Sequence, residues 1–134
     1  MSLSPYFLFP GTAAAALEQY RATFGGVVTT HSYADLGRTD GPVDAVAHGM
    51  LTGPVPVFAA DAGEDDEPFT ATGLLMSLLG VAGPPTLRAW FDALAEGGTV
   101  IDPLEVRPWG DTDGQVRDRF GVTWLIGYEA SAVD

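Results

Sequence analysis

The chain has 134 residues, 46% of them hydrophobic, with 18 Asp and Glu against six Arg and a formal net charge of −12. That length fits one domain with a sizeable core. The charge argues against nucleic acid, whose binding needs clustered cations on phosphates, and against anionic membrane surfaces.

Cys and Lys are both absent, which removes disulfides, thiolate metal sites, cysteine nucleophiles and Schiff-base chemistry. No run approaches the roughly 18 uninterrupted apolar residues of a membrane span. Met1–Pro5 has neither the basic region nor the apolar core of a secretion signal, so the expectation is a cytoplasmic protein.

Taken in order, Tyr6-Phe7-Leu8-Phe9 reads as a short strand stopped by Pro10-Gly11. Thr12 stands at a helix N-cap position before Ala13–Ala16. Ala13, Ala16, Leu17, Tyr20 and Phe24 recur at helical spacing, and Gly25-Gly26 ends the helix. Val27–Tyr33 is β-branched and aromatic, a strand. After the Asp-, Gly- and Pro-rich loop 35–42, a strand over 45–51 turns at Gly53-Pro54 into Val55–Ala60. Pro56 predicts that this strand lies at a sheet edge. Residues 62–68 form an acidic loop.

The pattern then restarts. Gly73–Gly80 is continuously apolar and predicts a strand buried on both faces. Pro84-Pro85-Thr86 opens a helix with Leu87, Trp90, Phe91 and Leu94 inward, closed by Gly97-Gly98. Strands follow at Thr99–Ile101, between Asp111 and Asp118, and at Val122–Ile126. Both halves read strand, helix, Gly-Gly, strand, strand, strand. The fold class is α+β, one domain over 1–134, with modules of about 1–66 and 67–134.

This order resembles the vicinal oxygen chelate superfamily, which includes glyoxalase I, extradiol dioxygenases and bleomycin-resistance proteins. Pro5–Phe9 with Ala16–Tyr20 and Phe24–Gly26, Asp44–Leu51, Phe91–Gly98 and Asp118–Trp124 are similar to its PhnB-like branch, often labelled 3-demethylubiquinone-9 3-methyltransferase. Trp109-Gly110 is followed by Asp113-Gly114 without the branch's usual preceding aromatic, which alters the pocket rim. The resemblance implies curled, U-shaped mixed sheets with helices outside, a small-molecule pocket and a homodimer. Methyl transfer itself is rejected, because the element order is wrong for the doubly wound fold and its glycine-rich cofactor turn is missing.

Metal-dependent members of the resembled superfamily place His, Glu or Gln on the first and last strands of each half. The nearest residues here are Pro5 or Tyr6, Phe58, Met76 or Ser77, and Leu125, poor ligands for a divalent ion. No cofactor is expected, and a divalent metal stays only as an alternative. Among titratable groups, His48 on a central strand is either a base or ligand, or a backbone-bonded histidine. Asp61 either orients His48 or caps loop amides. His31 reads as a strand surface residue. Ser77 binds either a ligand or a carbonyl. The acidic run 64–67 lacks the spaced donors of a calcium loop, and Arg117 and Arg119 read as salt-bridge partners. Trp109 closes a pocket or plugs the core end, whereas Trp90 and Trp124 read as core. The pocket set is therefore Tyr6, Phe58, Met76, Ser77, Trp109 and Leu125, with His48 and Asp61 as candidate catalytic residues. Three functions follow: a resistance-type small-molecule binder, a lyase, isomerase or dioxygenase using His48, or a dimeric interaction module.

Overall fold

In a computed structural model, which describes residues 3–133, the chain divides into two compact units, Met1–Thr70 and Ala71–Asp134. Met1 and Ser2, part of the segment read for a secretion signal, lie outside the described residues, as does Asp134.

The first unit holds β1 (Tyr6–Phe9), α1 (Ala13–Phe24), β2 (Val27–Ser32), β3 (Val46–Thr52) and β4 (Val57–Asp61). Its sheet runs β1-β4-β3-β2, with β1 parallel to β4 and the other pairs antiparallel. Helix α1 buries Ala13, Ala16, Leu17, Tyr20 and Phe24, the five residues of the predicted stripe. They pack on the sheet face that carries the buried Phe7, Phe9, Leu51, Val57 and Ala59. Because strand side chains alternate, the other face carries Tyr6, Leu8, His48, Met50 and Phe58.

Two expectations change here. Strand β4 is interior rather than at an edge. Pro56 precedes its first residue, so the missing N–H removes no ladder bond. Thr12 occupies the N-cap of α1 but its side chain makes no capping bond. Asp61, at the far end of β4, accepts the Ala13 N–H at 2.9 Å instead.

The second unit holds β5 (Met76–Leu79), α2 (Pro84–Ala95), β6 (Thr99–Val106), β7 (Thr112–Arg117) and β8 (Thr123–Tyr128). Its order, β5-β8-β7-β6 with β5 parallel to β8, repeats the first unit strand for strand. Pro84 stands at the start of α2, where its missing N–H costs nothing. Leu87, Trp90, Phe91 and Leu94 are buried as predicted, on the face that carries Val116, Trp124 and Ile126. Strand β5 departs from expectation. It is an edge strand with one neighbour, only Leu78 is buried, and Leu79 is 52% exposed. Strand β6 runs past the predicted Ile101 to Val106. It is also an edge strand, where Pro103 is tolerated, and its register shifts around Asp102.

The glycine pairs perform the same two tasks in both units. Gly25 and Gly97 take φ of 82° and 72°, turning the chain out of each helix. Gly26 and Gly98 lie so close to the carbonyl oxygens of Thr52 and Arg117 that a Cβ would overlap them.

Candidate functional site

Strand register sets which side chains can meet. Tyr6 is the parallel partner of Phe58, Phe58 the antiparallel partner of Met50, and His48 the antiparallel partner of His31. These residues therefore share the face of the first sheet away from α1. The Tyr6, His48 and Phe58 rings form a triangle with centroid separations of 5.6, 5.9 and 6.0 Å. Tyr6 and Phe58 are stacked with planes 5° apart, and His48 is tilted 29° from Phe58. Such offset stacking is favourable for aromatic pairs.

One edge of this triangle is polar. The Tyr6 hydroxyl and His48 Nδ1 are hydrogen-bonded at 2.9 Å. The bond can run in either direction, with the imidazole tautomer changing to suit. With Nδ1 held, Nε2 has no hydrogen-bond partner among the described residues. His48 is half-buried and Tyr6 is 47% exposed. Partial burial raises the Tyr6 pKa, with Arg38 opposing, so the phenol is neutral at physiological pH.

Asp61 does not join His48. It lies on the opposite sheet face, 7% exposed, and its two oxygens accept the N–H groups of Ala13 and Val46 at 2.9 Å each. Its backbone carbonyl accepts the Tyr33 hydroxyl at 2.6 Å. One buried carboxylate thus ties the start of α1, the start of β3 and the end of β4 together, the amide-capping alternative offered by the sequence. Asp118 plays a comparable part in the second unit, accepting from Phe120 N, Val122 N and Trp124 Nε1.

The other predicted pocket residues belong to the second unit. Ser77 and Leu125 are register partners on the face away from α2, Ser77 exposed and Leu125 half-buried. Met76 pairs with Trp124 and so points to the helix side, away from Ser77. Strand alternation allows only one of the two on the open face. Trp109 projects from the turn after β6 and is 68% exposed. His31 is an exposed strand residue, as read, yet it stands directly across from His48. Arg117 and Arg119 are not salt-bridge partners among the described residues. Arg117 Nε donates to Thr123 Oγ1 at 3.3 Å, and the Arg119 guanidinium lies over the Phe120 ring.

No family model matches the chain. It is 32% identical to the uncharacterized protein Mb0911c of Mycobacterium bovis, over 99% of this chain and 86% of that one. Among solved structures it is similar to protein PA1353 of Pseudomonas aeruginosa, with a TM-score of 0.77, 29% identity, and 96% and 98% of the two chains covered. A PhnB protein of Bacillus cereus, labelled a 3-demethylubiquinone-9 3-methyltransferase, superposes with a TM-score of 0.79 at 21% identity, covering 96% and 99%. A glyoxalase/bleomycin resistance protein of Albidiferax ferrireducens superposes at 0.62 with 15% identity, covering 95% and 98%. The chain has the fold of the glyoxalase/bleomycin resistance proteins, and it belongs to one family with the mycobacterial protein Mb0911c. The residues present do not fit a divalent ion at the ligand positions that the resemblance to metal-dependent members of the resembled superfamily implies. The residues nearest those positions, Pro5 or Tyr6, Phe58, Met76 or Ser77, and Leu125, include the register pairs Tyr6–Phe58 and Ser77–Leu125 and supply no carboxylate or imidazole. Among the described residues no group of three or more His, Asp or Glu is placed to hold a metal ion. None of their helices is long and apolar enough to cross a membrane.

Proposed function

We propose that this protein binds a flat, partly aromatic small molecule without transforming it, on the open sheet face of the first unit. The observation that carries the reading is the Tyr6–His48–Phe58 triangle, an aromatic surface with a hydroxyl and an imidazole on its edge. Phe58 and Tyr6 offer ring contact to the ligand body. His48 Nε2 and the Tyr6 hydroxyl offer one donor and one acceptor, whose arrangement switches with the tautomer. A few polar groups set in an apolar surface is the usual composition of a small-molecule site. In this reading the working protein is cytoplasmic and a homodimer, the dimer being checked by its mass in solution.

The test is ligand-observed NMR with a panel of planar heteroaromatic compounds. Phe58→Ala is expected to weaken the best binder about tenfold, from lost apolar area and ring contact. Undiminished binding by that variant would overturn the reading.

A second reading, catalysis by His48, draws on its geometry. Nδ1 is held by Tyr6 and Nε2 has no hydrogen-bond partner among the described residues, the arrangement of an oriented general base. Turnover of a bound compound that His48→Gln abolishes while binding persists would favour this second reading over simple sequestration.

A further inference from the structure

The six arginines are not used alike. Arg21 pairs with Glu18, Arg38 with Asp40 and Asp66, and Arg107 with Asp102, Glu105 and Asp113. Arg88, Arg117 and Arg119 have no carboxylate partner among the described residues, in a chain with 18 acidic groups; of the three, Arg117 is the one set in a groove. Its strand neighbours explain how it escapes pairing. Asp113 lies on the same face of β7 but four residues away, about 13 Å along a strand, and is bonded to Arg107 Nε at 2.7 Å. Asp102 is likewise held by Arg107, at 2.9 Å.

Arg117 lines a groove of about 320 Å³ within the second unit, together with Gln115, Thr123, Leu74, Leu75 and Ile101. Gln115 and Arg117 alternate onto one face of β7. Thr123 Oγ1 accepts from Arg117 Nε, which steadies the guanidinium and leaves its Nη1 and Nη2 edge uncommitted. The Gln115 amide has no side-chain partner among the described residues, so it adds two donors beside that edge. Leu74 is 51% exposed and Ile101 44% exposed, an apolar wall next to the donors.

We propose that this groove is an oxyanion site for a small organic monoanion, a carboxylate carried on an apolar body. The flat Nη edge matches the two oxygens of a carboxylate. The apolar wall takes the body. The net charge of −12 repels a dianion more strongly than a monoanion, which selects carboxylate over phosphate. The site stands on the second unit alone and does not depend on what the Tyr6–His48–Phe58 face binds.

The experiment is calorimetric titration of the full chain at low salt with octanoate, octylamine and inorganic phosphate, with the Gln115 side-chain amide followed by NMR. Octanoate is expected to bind and shift the Gln115 amide signal, and octylamine and phosphate to bind at least about tenfold more weakly. Arg117→Gln should weaken octanoate about tenfold or more, the worth of a hydrogen bond to a charged group. Arg119→Gln makes the same change in net charge outside the groove and should leave binding within about twofold. Gln115→Leu, which removes no side-chain hydrogen bond among the described residues, should weaken it severalfold. The proposal is overturned if octanoate fails to bind at about 1 mM, if Arg117→Gln and Arg119→Gln behave alike, or if octylamine or phosphate binds as well as octanoate.

Discussion

Replacing Asp61 with Ala separates a structural carboxylate from a catalytic one. In the native fold its oxygens accept two backbone N–H groups, from Ala13 at the start of α1 and Val46 at the start of β3. Alanine removes both acceptors and leaves two donors in a site where the aspartate is only 7% exposed. An unsatisfied buried donor costs about 1–3 kcal/mol, so the pair costs about 2–6 kcal/mol. For a chain of this size, at about 3–5 °C per kcal/mol, that lowers the melting temperature by roughly 6–30 °C. Far-UV circular dichroism during heating and in urea measures it. Asp61→Asn keeps one acceptor oxygen and should lose about half as much. A melting temperature within about 3 °C of wild type in Asp61→Ala, or full stability with lost ligand binding, would refute the assignment.

Three further outcomes follow from local geometry. Gly98→Ala places a Cβ against the Arg117 carbonyl oxygen and Gly26→Ala against that of Thr52. Backbone must move in each, and thermal unfolding should show a loss of about 1–3 kcal/mol or more. Gly49→Ala meets the flexible Leu17 Cδ1 at 2.6 Å and the Ala59 oxygen at 3.0 Å, and should cost less than Gly98→Ala in the same assay. Ultraviolet titration of tyrosinate should show Tyr6 ionising above the ordinary value of 10.0, because burial disfavours the phenolate. Its raised pKa means the folded protein holds the proton longer. The associated stability is complete below about pH 10 and is lost as pH rises through the folded value; a Tyr6→Phe difference spectrum without a transition above pH 10 would contradict this.

Much of the fold was legible because it rests on local periodicity. The α2 stripe of Leu87, Trp90, Phe91 and Leu94 repeats at helical spacing, and all four are buried. The Gly-Gly pairs mark chain reversals that few other residues tolerate. What failed was nonlocal. Gly73–Gly80 is apolar but for Ser77, so it carries no regular alternation to say that Met76 faces α2 while Ser77 faces away. Pro56 suggested an edge because its offset from the first ladder residue is invisible in sequence. Asp61 was readable as an amide cap, yet its partners come from α1 and β3, 48 and 15 residues away. The Tyr6–His48 bond spans 42 residues, and only the β1-β4-β3 order brings the two together. Arg117 was expected to find an acid in so acidic a chain. The nearest ones on its face are gathered by Arg107, a competition that composition cannot express.

The central claim is that the Tyr6–His48–Phe58 face binds an organic ligand without a metal. The most direct measurement is thermal unfolding of the chelator-treated protein with planar heteroaromatic compounds and, separately, with Ni²⁺, Mn²⁺, Fe²⁺, Co²⁺ and Zn²⁺. A compound at a hundred times its dissociation constant should stabilise the fold by about 2.7 kcal/mol, raising the melting temperature by several degrees, with the shift lost in Phe58→Ala and no comparable shift from any ion. A metal-induced shift that His48→Ala abolishes, with no response to the organic compounds, would contradict the account.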